Sequence, residues 1–129
     1  MSTQKERAIE VAYEAFAAAD LERIRNEAFA GDIRWTWPGS GALSGTYNGI
    51  DAVLALFVQL ATASQGTFKV APESIAGVGD FVVVRSSATW TDGAGEHTDP
   101  YVQVFRMKND RASECDIFLN DDAVWDGLG

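Results

Sequence analysis

Asp116, His97, Asp99, Tyr13 and Tyr101 are the side chains of this chain best suited to moving or holding a proton. Asp116 alternates with Glu114 and Phe118 along a strand-like run and so shares a face with an aromatic ring. A carboxylate facing an apolar cavity has its pKa raised toward neutrality, which suits a general acid or base. The competing reading is a strand carboxylate paired with a surface arginine, or a buried one satisfied by hydrogen bonds. His97 is the single histidine, with an ordinary pKa near neutral pH. It directly follows Asp92-Gly93-Ala94-Gly95-Glu96, a hairpin tip, and tips are usually solvated. Asp99 shares its parity, but no spacing shows a His97–Asp99 or His97–Asp116 pair. One histidine and no acidic cluster at ligand spacing predict no metal site. Tyr13 and Tyr101 either present hydroxyls to a cavity or bond to the backbone within the core. Cys115 has the parity opposite to Asp116, which turns it away from the pocket as a structural residue.

These side chains need elements to hold them. Thr3-Gln4-Lys5-Glu6 has the pattern of a capping box, and Ile9, Ala12, Tyr13 and Phe16 form one stripe of a helix running to about Ala18. Asp20 caps a second, shorter helix to about Phe29, which Gly31 ends. Strand periodicity over Ile33 to Trp37 delivers Trp35 and Trp37 to a stop at Pro38-Gly39. The residues from Gly39 to Gly49 read as a flexible glycine-rich loop, a rim or lid, before a third helix from about Ile50 to Ala63. Thr67 to Ala71, Ser74 to Val78, Phe81 to Thr91, His97 to Met107 and Ala112 to Leu119 read as strands, with Asn109-Asp110 as a tight hairpin link. Asp121 to Asp126 form a short terminal turn. Helices first and an antiparallel meander after predict an α+β fold, helices gathered on one face of a curved sheet around a pocket. Phe16, Trp35, Trp37, Phe57 and Phe118 supply its apolar wall, with Tyr101 as a polar point, and a flat hydrophobic ligand suits such a wall. Trp90 and Trp125 suit an interface. Both faces of the later strands carry apolar residues, so the outer face is expected to pair with a second copy.

The 129 residues predict one domain, 1–129, with no internal repeat or linker. A net charge of −9 and the lack of a basic run argue against a nucleic-acid partner and an anionic membrane surface. The N-terminus has no apolar signal core, no run reaches membrane-helix length, and the one cysteine allows no internal disulfide. A cytoplasmic location is the expectation. No phosphate-binding glycine pattern is present, and no cofactor is expected.

Ala15-Phe16-Ala17-Ala18-Ala19-Asp20-Leu21, Trp37-Pro38-Gly39, Ser44-Gly45-Thr46-Tyr47-Asn48-Gly49 and Val104-Phe105-Arg106, in that order, resemble the nuclear transport factor 2-like superfamily in its SnoaL-like polyketide-cyclase branch. The resemblance covers nearly the whole chain. It implies a cone of three N-terminal helices wrapped by a curved, mostly antiparallel sheet, with an internal pocket and dimerisation through the sheet. Its members include steroid isomerases, epoxide hydrolases, dehydratases, polyketide cyclases and non-enzymatic binding domains, so the fold leaves the chemistry open. The isomerases' general base falls here on Trp37, which takes no proton. Their buried acid falls on Gln103, a hydrogen-bond donor only, and their helix-one tyrosine is close to Tyr13. The epoxide hydrolases' Arg–Asp pair falls on Ser86 and Ala88. The last-strand acid falls on Asp116, which with Tyr13 makes the catalytic pair the resemblance implies. Three functions follow: an isomerase, cyclase or dehydratase acting on a carbonyl compound, a non-catalytic binder of a hydrophobic molecule, or a dimerisation module.

Overall fold

The computed structural model describes residues 2–128, which form an α+β fold of one six-stranded sheet and four helices. Helix α1, Gln4–Ala17, starts at the expected capping box, with Thr3 and Glu6 each accepting from the other's backbone N–H. Asp20 accepts from the Arg23 N–H and opens α2, Leu21–Glu27. Strand β1, Phe29–Trp37, follows without a break. Gly31 therefore does not end a helix. It lies inside a strand, because Phe29 already pairs with Ala112 of the last strand.

The stretch from Gly39 to Gly49 is not a free loop. Gly45–Asn48 form β2, antiparallel to β1, with Trp35 opposite Tyr47. The helices are thus not all at the N-terminus: a hairpin separates α2 from α3, Ile50–Ala63, and α4, Asp122–Asp126, closes the chain. Four long strands follow α3: β3 Lys69–Val78, β4 Phe81–Asp92, β5 Gly95–Lys108 and β6 Arg111–Leu119. The two segments expected before Gly79 are one strand with a bulge at Pro72–Ser74. Proline is tolerated there because β3 is an edge strand. Asn109 and Asp110 both take positive φ, 53° and 60°, the link a two-residue hairpin of this kind requires.

The strand order is β2-β1-β6-β5-β4-β3, antiparallel throughout except for the parallel β1–β6 pair. Cross-strand register fixes the inward face: Val84 opposite Gln103, Gln103 opposite Ile117, and Phe105 opposite Cys115. That face is covered by α1 and α3, whose buried residues include Ile9, Ala12, Val53 and Phe57. Among the described residues no helix is long and apolar enough to cross a membrane.

Candidate functional site

Between α1, α3 and the inward sheet face lies a cavity of about 60 Å³. Phe16, Phe29, Trp35, Trp37 and Phe57 are among the rings of its aromatic wall. The rings meet edge to face, Trp35 and Phe57 at 5.2 Å between centroids and Phe16 and Phe57 at 5.3 Å, the arrangement aromatic quadrupoles favour. No charged side chain lines it among the described residues.

A polar patch breaks the apolar wall. The Tyr13 hydroxyl donates to Gln103 Oε1, and Gln103 Nε2 donates to Cys115 Sγ at 3.7 Å. Burial raises the Tyr13 hydroxyl well above its ordinary pKa, and the neighbouring Tyr101 adds to the shift. Burial raises Tyr101 too, with Ser86 and Tyr13 pulling the other way. Both tyrosines are therefore neutral hydroxyls at any physiological pH. Ser86 Oγ lies close enough to act on both, yet it is buried without a hydrogen-bond partner among the described residues. The Trp35 indole N–H, also buried, lacks an acceptor in the same way. Buried donors left unmade cost free energy.

The C-terminal segment closes one end. Asp99, 5% exposed, accepts from the Trp125 indole at 2.8 Å, the Asp121 N–H at 3.1 Å and the Asn120 amide at 3.1 Å. This places Trp125 in the cavity wall, tilted against Trp90 at 4.8 Å between centroids and edge to face with Trp37 at 5.7 Å. Asp126 in turn accepts from the Ser40 N–H and hydroxyl, both at 3.0 Å, and the Gly41 N–H at 3.1 Å. Gly41 is required for this approach, because a Cβ there would lie 2.7 Å from the Asp126 carbonyl oxygen. Trp90 and Trp125 are thus buried in the fold rather than offered as interface residues.

Of the residues singled out in the sequence, Tyr13, Phe16, Trp35, Trp37, Phe57, Tyr101 and Gln103 line the cavity. Asp116 and Phe118 do not. The β6 register puts Cys115 and Ile117 inward, leaving Phe118 58% exposed and Asp116 on the outer face beside Val104. Cys115, expected to face away, is fully buried on the inner side, and burial pushes its thiol well above the ordinary range. Strand parity sorts β6 into two faces but cannot say which is inward when Phe118 and Ile117 are both apolar. His97 lies outside the cavity, its ring nitrogen 2.9 Å from Asp92 and its ring 5.4 Å from Trp90. The Asp92 carboxyl is held below its ordinary range by that bond first and by the Ala94 N–H second. The roles of Asp99, Asp126 and Trp125 were missed by sequence reasoning. No local sequence signal could have found them, because Asp126 and Ser40 are far apart in the chain and meet only in the fold.

The profile of the SnoaL-like domain family matches residues 9–115. The uncharacterized protein Rv0034 of Mycobacterium tuberculosis is 32% identical over 87 residues, 67% of this chain and 66% of that protein, so the match spans just under two thirds of the relative's length. The structure of Bal32a, from a soil-derived mobile gene cassette, superposes with a TM-score of 0.91 at 25% identity over 97% of this chain and 95% of the other. A nuclear transport factor 2-like protein of unknown function from Burkholderia pseudomallei gives 0.85 at 29% identity over 98% of both chains.

Proposed function

The chain belongs to the SnoaL-like domain family, within the nuclear transport factor 2-like fold, and we propose that it binds a small, neutral, hydrophobic molecule in the aromatic cavity. The observation that carries this reading is an apolar wall interrupted by neutral hydrogen-bond donors, with no charged group among the described lining residues. Such a wall favours a flat guest whose oxygen accepts from the second Nε2 N–H of Gln103, or from Tyr13 in place of Gln103 Oε1. It disfavours sugars, nucleotides and carboxylates, which need many polar partners or a counter-charge.

The test is quenching of intrinsic tryptophan fluorescence by menadione, a neutral flat diketone. Saturable quenching that disappears in Ala12→Leu is the expected result, since Ala12 lines the cavity and three added carbons fill it. Saturable quenching that persists in Ala12→Leu, or none in the unaltered chain, overturns the reading.

A catalytic version rests on one specific feature, the two protonated tyrosines. Hydroxyls fixed in a dry site stabilise a developing enolate oxygen. Isomerisation, cyclisation or dehydration of a carbonyl compound would then proceed with water or the substrate carrying the proton, because Asp116 faces outward. Deuterium exchange from solvent into the α-carbon of a bound ketone is the readout. Exchange that falls in Tyr13→Phe supports catalysis, and bound ketone without exchange leaves a binder.

A further inference from the structure

The cavity of about 60 Å³ is far below the several hundred Å³ that a ligand cleft usually encloses. Something in its wall must yield for a guest to fit. The sheet side is held by the β1–β6, β5–β6 and β4–β5 ladders. The tail side is held by the Asp99 and Asp126 hydrogen bonds. The helical side is different. α1 makes its main contacts with α2 and β3, whereas α3 makes its own with β1 and β2. What closes the seam between the two is the Phe16–Phe57 ring pair, a contact of dispersion and quadrupole only.

The same two rings also line a shallow groove on the outer surface, with Ala19, Leu21, Val58 and Ala61. Cavity and groove are therefore two sides of one aromatic partition. Val58 is 53% exposed in that groove. Phe16 is on the last turn of α1, just before Ala19 at φ 57°, so the ring rides on a helix end.

We propose that the Phe16–Phe57 pair is the gate of the cavity, and that a guest passes between the rings with its oxygen end at Tyr13 and Gln103 and any apolar tail left in the α1/α2–α3 groove. This rests on the binding reading above. The ligand class it adds is a neutral molecule with an accepting oxygen at one end and an aliphatic chain at the other.

Stopped-flow quenching of tryptophan fluorescence by menadione and by a 1,4-naphthoquinone bearing a decyl chain tests it. Phe16→Ala, and to a smaller degree Phe16→Leu, should raise both association and dissociation rates of menadione by tenfold or more. Val58→Asp, an exposed change that spares the core, should weaken the decyl compound at least fivefold and leave menadione unaffected. If the two Phe16 variants leave the rates unchanged, the gate is wrong. The Ala12→Leu control keeps the two readings apart: menadione binding lost there with unaltered Phe16 rates rejects the gate alone, while binding that never depended on the cavity rejects both.

Discussion

Tyr13→Phe removes one hydroxyl from the cavity wall and the hydrogen bond that it gives Gln103 Oε1. A guest carbonyl loses a neutral donor worth about 1 kcal/mol, so the menadione dissociation constant should rise roughly fivefold in a fluorescence titration. An unchanged constant would place the guest oxygen elsewhere. Asp116→Asn is the opposite case. The carboxylate is on the outer face, so menadione affinity and unfolding free energy should both stay within about 0.5 kcal/mol of the unaltered chain. The buried hydroxyls and thiol also set a pH dependence. Tyr13, Tyr101 and Cys115 are all raised by burial, so the folded state holds protons that the unfolded chain releases. The stability they favour is intact below the unfolded values, about 8.5 for cysteine and 10 for tyrosine, and is lost as pH climbs past them. Tm followed by circular dichroism should be level from neutral pH to about 8.5 on account of these groups and then decline. At this scale the tyrosines and the aromatic rings were legible from residue type and from helix and strand periodicity, and Gln103 from the family resemblance. Asp116 was misplaced because an acid's meaning depends on which face is inward, and that is a property of pairing, not of the strand.

Elements with their own local signals were legible almost to the residue. The capping box and the apolar stripe define α1, and α3 runs from Ile50 to Ala63 as its periodicity implies. Elements defined by a distant partner were not. β2 has four residues, all at least partly exposed, and exists because β1 pairs with it; glycines there read as loop. Gly31 read as a helix stop because glycine marks both helix ends and strand irregularities, and the β1–β6 register does shift between Phe29 and Arg34. The tail is the plainest case: α4 has five residues and its position depends on Asp126 reaching Ser40 and Gly41. Asp126→Ala removes three hydrogen bonds to a carboxylate and should cost about 2 kcal/mol, a fall in Tm on the order of 8 °C. Gly41→Ala should destabilise in the same direction while every donor and acceptor remains, because its Cβ would meet the Asp126 backbone. A Gly41→Ala variant melting with the unaltered chain would show that the tail is not clasped there.

The convex side of the sheet poses the question of assembly. Val83, Val102 and Val104 are half-buried there, and Phe118 is 58% exposed directly opposite Val102 in the ladder. Arg85 and Arg106 share this face with Glu114 and Asp116. Both signs of charge on one surface let two copies related by a two-fold axis meet without like charges opposed, even with a net charge of −9 per chain. We infer that this face pairs with a second copy, with Phe118 near its centre. Sedimentation equilibrium at micromolar concentration should then return twice the 13.9 kDa of one chain. Phe118→Asp should return the single-chain mass with the same circular dichroism, because an exposed ring contributes little to its own fold. The cavity and the Phe16–Phe57 seam lie on the opposite side of the sheet, so the Phe118→Asp monomer should bind menadione with unchanged affinity. A single-chain mass for the unaltered protein would leave Phe118 without a partner. A Phe118→Asp monomer that loses menadione would mean that pairing shapes the cavity through the sheet, since none of these convex-face residues lines the cavity.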